Sequence, residues 1–463
     1  MLFVSRYFNS IPYDDDTSII WHSIFGRPML VSNSLAEALN KVDPSSSIGI
    51  YDVFGQEMYL KRKDSDLSRS LDDLTEAHIL HYSDDFEKID IEKLFYEHNP
   101  QHINNPHGHS KVKSLSLIMS EECQFRCKYC IHFANSKHYY NPQKFMLKEV
   151  AKTSIDQYFE TIVRNRVKEA YINFGGGEPL INWELIKELL PYIRKLSKDL
   201  DIPVKMGINT NLGLLTPDIA QVLIDYDVEI AASLDGSKES NDLVRLTKDL
   251  KGTYDQIMRG FKIMRDLGRP LDGFAMTVTE DNFFGVNESL IDWAASLGMK
   301  EVRIDIDVVG MVNVPVDDIV TRLISIRRYA KSKGISVIGF WSRPAENMGL
   351  VPENEDIGFC GGERGNSLCV APSGQVFPCG YSNYEIGKYD EITDIYKSPA
   401  YLDLIKRRNL LRNVECQDCP ILGFCRGGCM ITREAGGGKE KISRMCELYT
   451  KMTYEILRES VED

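Results

Sequence analysis

The sequence predicts an α/β fold: a partial, open barrel of six βα units over residues 113–334, set between a small mixed module, 1–97, and a cysteine-rich one, 335–463. Three observations predict it. Short apolar runs alternate with amphipathic stretches between 113 and 334. Three cysteines stand at the start of that region and eight lie beyond its end. Residues 1–110 carry a charge balance of their own, with 18 acidic against 9 basic side chains.

In chain order, Leu2–Tyr7, Ser18–Phe25 and Pro28–Ser32 read as short strands, broken by Asp14–Asp16 and by Gly26-Arg27. Ser34 is expected to cap a helix running through Leu39, and a second helical pattern covers Leu67–Ile79. The acidic surplus supplies −9 of the net charge of −13. It repels a phosphate backbone, which argues against nucleic acid, and suits a partner carrying Lys or Arg. Residues 98–112 are a linker by composition. Their His98, His102, His107 and His109 read as solvated, because no element fixes them around a metal.

The barrel strands are expected at Ser114–Met119, Ala170–Phe174, Val204–Asn209, Val228–Ser233, Gly273–Val278 and Glu301–Ile306. Amphipathic helices are expected at Leu147–Val163, Trp183–Leu196, Thr216–Tyr226, Thr253–Leu267 and Gly285–Leu297. Such alternation favours a parallel sheet covered by helices. Six units cannot close an eight-stranded barrel, so an open one is expected, with ligands at the C-terminal strand ends. Beyond Ile335 the rhythm stops. A hairpin-like Leu368–Tyr381, a surface turn at Gly436–Gly438 and a final helix, Cys446–Glu459, are the features there. So few apolar runs imply that metal holds the region's shape.

No run of eighteen apolar residues appears, so no membrane span is expected. The first residues lack a basic flank, apolar stretch and cleavage site, which makes the cytoplasm the expected location. An odd number of cysteines in such a chain argues against a disulfide framework.

Cys123, Cys127 and Cys130 form C-x3-C-x2-C directly after the first barrel strand. Three thiolates can hold three corners of a four-iron cube and leave one iron open, to which the amino and carboxylate groups of a methionine could chelate. Phe174-Gly175-Gly176-Gly177-Glu178-Pro179 ends the second strand, Asn209-Thr210-Asn211 the third, and Ser233-Leu234-Asp235-Gly236 the fourth, with Arg245 shortly after. On these motifs the chain resembles the radical S-adenosylmethionine (SAM) superfamily. The resemblance implies a [4Fe-4S] cluster on Cys123, Cys127 and Cys130 and a bound SAM cleaved to a 5′-deoxyadenosyl radical. It places Tyr129 against the adenine and the methionine ammonium near Gly175, Gly176, Gly177 and Glu178. Asn211, Ser233, Asp235 and Arg245 would meet the ribose hydroxyls and the methionine carboxylate. The competing reading is a zinc site completed by His132 or His138.

Cys360, Cys369, Cys379, Cys416, Cys419, Cys425, Cys429 and Cys446 follow, with Gly374 opening a G-x4-C and then C-x2-C-x5-C-x3-C. This resembles the SPASM extension of peptide-modifying radical SAM enzymes. The resemblance implies one auxiliary cluster on Cys360, Cys369, Cys379 and Cys429 and another on Cys416, Cys419, Cys425 and Cys446, three [4Fe-4S] clusters in all. Two zinc ribbons are the alternative. The three sets use all eleven cysteines, leaving no thiol to return a hydrogen atom. Cysteine-donor epimerisation is therefore disfavoured, and net oxidation to a thioether or carbon–carbon cross-link is favoured. The order strand, strand, strand, helix, helix at the N-terminus resembles the winged-helix leader-recognition domain of maturases of ribosomally made peptides. It implies a precursor peptide whose leader adds to a sheet edge, and the chemistry implies a flavodoxin- or ferredoxin-type reductant. The alternatives are a sulfatase-maturing enzyme and a zinc-binding scaffold without SAM chemistry. The former tends to carry Asp after the G-x4-C cysteine, where this chain has Gly380.

Overall fold

The structure is a computed structural model and describes residues 2–42, 44, 47–48, 64–82, 112–130, 143–307, 310–311, 313–348, 359–407, 416, 418–434 and 439–462. The expected linker with its four histidines, His132, His138 and Gly436–Gly438 lie outside the described residues.

The N-terminal part opens with β1 (Leu2–Val4), β2 (Phe8–Pro12), β3 (Thr17–His22) and β4 (Gly26–Ser32), followed by α1 (Asn33–Asn40), β5 (Ser47–Ile48), α2 (Asp64–Glu76) and β6 (Leu80–His81). β2, β3 and β4 form one antiparallel sheet, and β1 sits between β5 and β6 in another. β2 is absent from the sequence reading, because FNSIP offers little apolar alternation. The cap of α1 is a correction: Ser32, two residues before the expected Ser34, accepts from Leu35 N–H. The chain is already extended at Ser32 and helical from Asn33, so Ser32 is the residue whose oxygen can reach back.

The barrel strands are β7 (Ser114–Ser120), β8 (Ala170–Gly176), β9 (Val204–Thr210), β10 (Val228–Ala232), β11 (Gly273–Val278) and β12 (Glu301–Ile306), all within two residues of expectation. Their helices are α3 (Lys148–Arg164), α4 (Trp183–Leu200), α5 (Pro217–Asp225), α6 (Lys238–Val244), α7 (Tyr254–Asp266), α8 (Glu288–Ser296) and α9 (Val316–Ser332). Each lays one stripe on the sheet; on α3 it is Ala151, Ile155, Tyr158, Phe159 and Ile162. Thr216 caps α5 ahead of Pro217, Ser237 caps α6, and Asn287 caps α8. The core beneath is Leu115, Leu117, Ile172, Phe174, Met206 and Ile208, fully buried.

The parallel run is longer than six strands. β13 (Ser336–Ile338) pairs parallel with β12, and β14 (Ser367–Val370) pairs parallel with β7. A parallel bridge between Ser233 and Ala275 connects β10 to β11. Neighbours therefore run β13-β12-β11-β10-β9-β8-β7-β14, continued antiparallel by β15 (Gln375–Phe377) and β16 (Gly387–Lys388). The expected division at 334/335 thus falls just before a strand of the barrel sheet. Strands of three and four residues are too short to show a period, and the open edges of β12 and β7 take them up.

The N-terminal sheet lies on the C-terminal region. Trp21, fully buried, donates its indole N–H to Pro420 O at 2.8 Å and meets Tyr454 edge-on at 5.6 Å. Gly423 N–H donates to Ser23 O at 2.9 Å. A Cβ on Gly423 would come within 2.4 Å of Ile24 O, so the approach needs glycine.

Candidate active site

β7 delivers its loop at the C-terminal end of the sheet, and neighbouring backbone holds that loop on two sides. Gly177 N–H donates to Ser120 O at 2.7 Å and Glu178 N–H to Glu122 O at 2.9 Å. On the other side Arg126 N–H donates to Leu246 O and Lys128 N–H to Val244 O, at 2.6 and 2.9 Å, beside a Phe125–Thr247 bridge. The glycine run serves this contact. Gly176 has φ +128°, and a Cβ there would lie 2.2 Å from Ser120 O; one on Gly177 would lie 2.6 Å from Glu122 O. Those two glycines let β8 pass the cysteine loop backbone to backbone. Gly175 is not crowded in this way.

Cys123, Cys127 and Cys130 share that loop. Burial pushes the Cys123 thiol up to about 12, against the Phe125 N–H that favours the thiolate, with Glu178, Cys127 and Cys130 adding to the rise. Cys127 rises to about 11, again chiefly by burial, with the Arg245 charge opposing. Buried thiols in one another's fields ionise only against a cation, so the loop fits a thiolate-held metal. Donors already face the sulfurs: Phe125 N–H and Asn211 Nδ2 approach Cys123 Sγ at 3.4 and 3.5 Å, and Arg245 Nη1 approaches Cys127 Sγ at 3.9 Å. Among the described residues no three His, Cys, Asp or Glu side chains close on a single-ion position. A cube, with one thiolate on each of three irons, asks for no such point.

Glu178 is fully buried. Oε1 accepts from Thr210 Oγ1 at 2.7 Å and Leu180 N–H at 3.1 Å, and Oε2 accepts from Asn211 N–H at 2.9 Å. Burial outweighs these bonds and pushes its carboxyl up to about 7. Gln124, inside the cysteine motif but not singled out by sequence, donates to Asn211 Oδ1 at 2.7 Å and so turns the Asn211 amide towards Cys123. Ser233 lies at the bridge that joins β10 to β11, its N–H on Thr210 O.

Asp235 departs from expectation. It is fully buried, and both oxygens are engaged: Oδ2 by Tyr129 Oη at 2.6 Å and Arg245 Nε at 2.9 Å, Oδ1 by Thr277 N–H at 2.8 Å and Arg245 Nη2 at 3.3 Å. A carboxylate taken out of water needs a balancing charge, and Arg245 supplies it. Asp235 thus holds Tyr129 and Arg245 in place in this structure, with Arg245 5.7 Å over the Tyr129 ring.

Of the later cysteines, Cys369 lies on β14 itself. It stands opposite Ser116 of β7 in register, and a Cβ on Gly380 would be 3.2 Å from its sulfur. Burial raises Cys369, Cys419 and Cys429, the second to about 11. Neighbouring thiols contribute in each case: Cys379 to Cys369, Cys360 to Cys429, and Cys416 with Cys446 to Cys419. Cys416 and Cys419 also meet Tyr7, Ile24 and Phe25 of the N-terminal part.

Residues 117–294 match the model of the Radical SAM superfamily. The chain is similar to the radical SAM cyclopropyl synthase TigE of Paramaledivibacter caminithermalis, 26% identical over 98% of this chain and 96% of that protein. It is similar to the cysteine-type anaerobic sulfatase-maturating enzyme of Clostridium novyi, 24% identical over 70% of this chain and 90% of that one. Among solved structures, anSMEcpe with bound AdoMet and the Cp18Cys peptide superposes with a TM-score of 0.59 at 18% identity, covering 75% of this chain and 99% of that one.

Proposed function

We propose that the chain is a radical SAM enzyme that modifies a ribosomally made precursor peptide by net oxidative bond formation, a reading supported by the match of residues 117–294 to the superfamily model and by similarity to a radical SAM cyclopropyl synthase along nearly the whole chain. The cysteine loop carries this reading: three thiols on one short segment, clamped by backbone at the strand ends, with N–H donors on two sulfurs. A [4Fe-4S] cluster on Cys123, Cys127 and Cys130, given one electron, would cleave SAM to the radical that takes a hydrogen atom from the peptide. The chain's own residues then have positional tasks. Glu178 and the Gly175–Gly177 turn receive the methionine ammonium, Arg245 and Asn211 face the sulfurs, and Asp235 keeps Tyr129 and Arg245 oriented. The eight later cysteines would hold two auxiliary clusters, which would supply the one-electron acceptor that net loss of two hydrogens requires, the second hydrogen leaving as a proton. Their neighbourhoods support the two sets of four, since each thiol adjacency named above falls within one set. Alignment with a cyclopropyl synthase over nearly the whole chain favours a carbon–carbon bond over a thioether.

The N-terminal part supports leader capture. β4 is an edge strand of its sheet, and a cleft of about 560 Å³ lies between it and α2, lined by Met29, Leu30, Leu35 and Leu74 with Asp73 and Glu76 at its border. A peptide added along β4 would gain main-chain bonds and raise the local concentration of its core segment. Sulfatase maturation is the second reading, favoured by the similarity to the Clostridium novyi enzyme and opposed by Gly380 after Cys379. Anaerobic reconstitution with SAM and dithionite, with the short peptide encoded beside the gene, tests the choice. Release of 5′-deoxyadenosine with a peptide product lighter by two hydrogens supports the proposal. A filled protein that releases none overturns it.

A further inference from the structure

A second polar site shares the strand ends with the cysteine loop. Along β12, Val302 and Ile304 are buried in the main core, while Arg303 and Asp305 alternate to the other face and stay partly exposed. Because the sheet is parallel, the end of β12 lies where β7 delivers its cysteines. Asp305 Oδ2 accepts from Arg303 Nε at 2.8 Å, and Oδ1 accepts from Phe340 N–H at 3.0 Å. The guanidinium lies 4.6 Å over the Phe340 ring. These contacts fix its plane and spend one edge of it. Among the described residues Nη1 and Nη2 have no partner, and the side chain is 29% exposed. Asp305 stands opposite Thr277 in the β11–β12 register, and Thr277 N–H donates to the Asp235 carboxylate that also takes Tyr129 of the cysteine loop. The two sites are therefore one strand apart at the same end of the sheet.

A guanidinium held this way is a preset fork. Its Nε edge is on Asp305, and its Nη1/Nη2 edge, pointing elsewhere, matches a second carboxylate in bidentate geometry. An ordinary surface ion pair would leave both partners mobile, whereas here a ring face and a main-chain N–H hold them. We propose that Arg303 is a substrate anchor: its free edge binds a carboxylate of the peptide, from an acidic side chain or the C-terminus, and holds the adjoining residue before the cysteine loop. Asp305 is the positioning residue. The inference rests on the peptide-modifying reading above and adds the chemistry that the peptide must carry.

The test uses the full-length, cluster-loaded protein with saturating SAM and three probes: N-acetylaspartate amide, N-acetylalanine and N-acetylasparagine amide. Binding is followed by saturation-transfer NMR. A carboxylate probe is expected to bind while the asparagine amide does not, and the better of the two acids identifies the source as side chain or C-terminus. Arg303→Met is expected to weaken that probe at least tenfold, and Arg303→Lys, which keeps the charge without the fork, severalfold. Should Arg303→Met not fold, the lysine variant carries the test. Equal binding of all three probes, no binding of any, or unchanged binding by the folded variants overturns the site. Failure of the wild-type protein to release 5′-deoxyadenosine is a separate result and sinks the parent reading.

Discussion

The two cysteine-bearing regions reach their geometry by different routes. The loop of Cys123, Cys127 and Cys130 is set by polypeptide: hydrogen bonds from the β8 turn on one side and the 244–247 segment on the other, and glycines that permit nothing larger. Most of the later cysteines stand on or beside short pieces, the four-residue helices Gly361–Arg364 and Leu422–Cys425 and the strands β14 and β15, while Cys446 lies in the long helix Lys439–Glu462. The difference teaches that a barrel sets its cysteine loop with backbone contacts, whereas a region poor in ladders, on the proposed reading, takes its shape from what its thiols would hold.

Removing the metal should therefore part the two regions, and this is the largest effect expected. Chelation of iron under anoxic reducing conditions should collapse hydrogen-exchange protection around Cys416–Cys429 while β7, β8 and β9 keep theirs. Equal loss in both would break the comparison. Conversely, replacing Cys123, Cys127 and Cys130 together by Ala should reduce 5′-deoxyadenosine release to background, with a circular dichroism melt close to that of the parent. A collapsed melt would mean that the barrel loop, too, relies on its metal.

Glu178 comes next. Its folded carboxyl sits near 7 against an ordinary 4.5, raised by burial. A raised acid favours the fold in its protonated form, so its contribution is fully present below about 4.5 and is lost as pH rises through about 7. The difference is worth roughly 3 kcal/mol. Between pH 5 and pH 8 the parent should lose melting temperature relative to Glu178→Gln. Parallel curves for the two proteins would show that Glu178 is ionised throughout.

How much of this was readable from sequence follows the same division. Barrel strands announce themselves because five to seven apolar-rich residues, twice capped by turns, repeat six times; the GGEP run and the cysteine spacing fall where the strands end. β13 and β14 are invisible because their partners, not their own residues, make them strands. The engagement of Asp235 by Tyr129 and Arg245 joins positions 106 and 10 residues away, and no local pattern reports such a meeting. Arg303 and Asp305 read as ordinary strand alternation until Phe340 is brought across. Gly177→Ala tests a legible part: with Glu122 O at 2.6 Å from the new Cβ, the cysteine loop or β8 must shift, costing about 1–3 kcal/mol. A variant as stable as the parent would show the clamp to be loose.

The smallest effect probes the polypeptide-built class at its simplest, one side chain at one helix start. Ser32 Oγ accepts from Leu35 N–H at 3.3 Å, and Ser34 Oγ lies 3.0 Å from Ser32 Oγ without receiving any helix N–H. If the cap resides at Ser32, Ser32→Ala removes the oxygen that satisfies an otherwise orphaned donor and should cost about 1 kcal/mol, whereas Ser34→Ala should cost no more than a few tenths. Global unfolding of so long a chain is a poor readout, because its parts need not melt together. Native-state hydrogen exchange at Leu35–Asn40 reports the local opening directly: Ser32→Ala should speed it about fivefold, and Ser34→Ala should leave it nearly unchanged. The reverse order would return the cap to Ser34, and the helix would then begin two residues later than its backbone indicates.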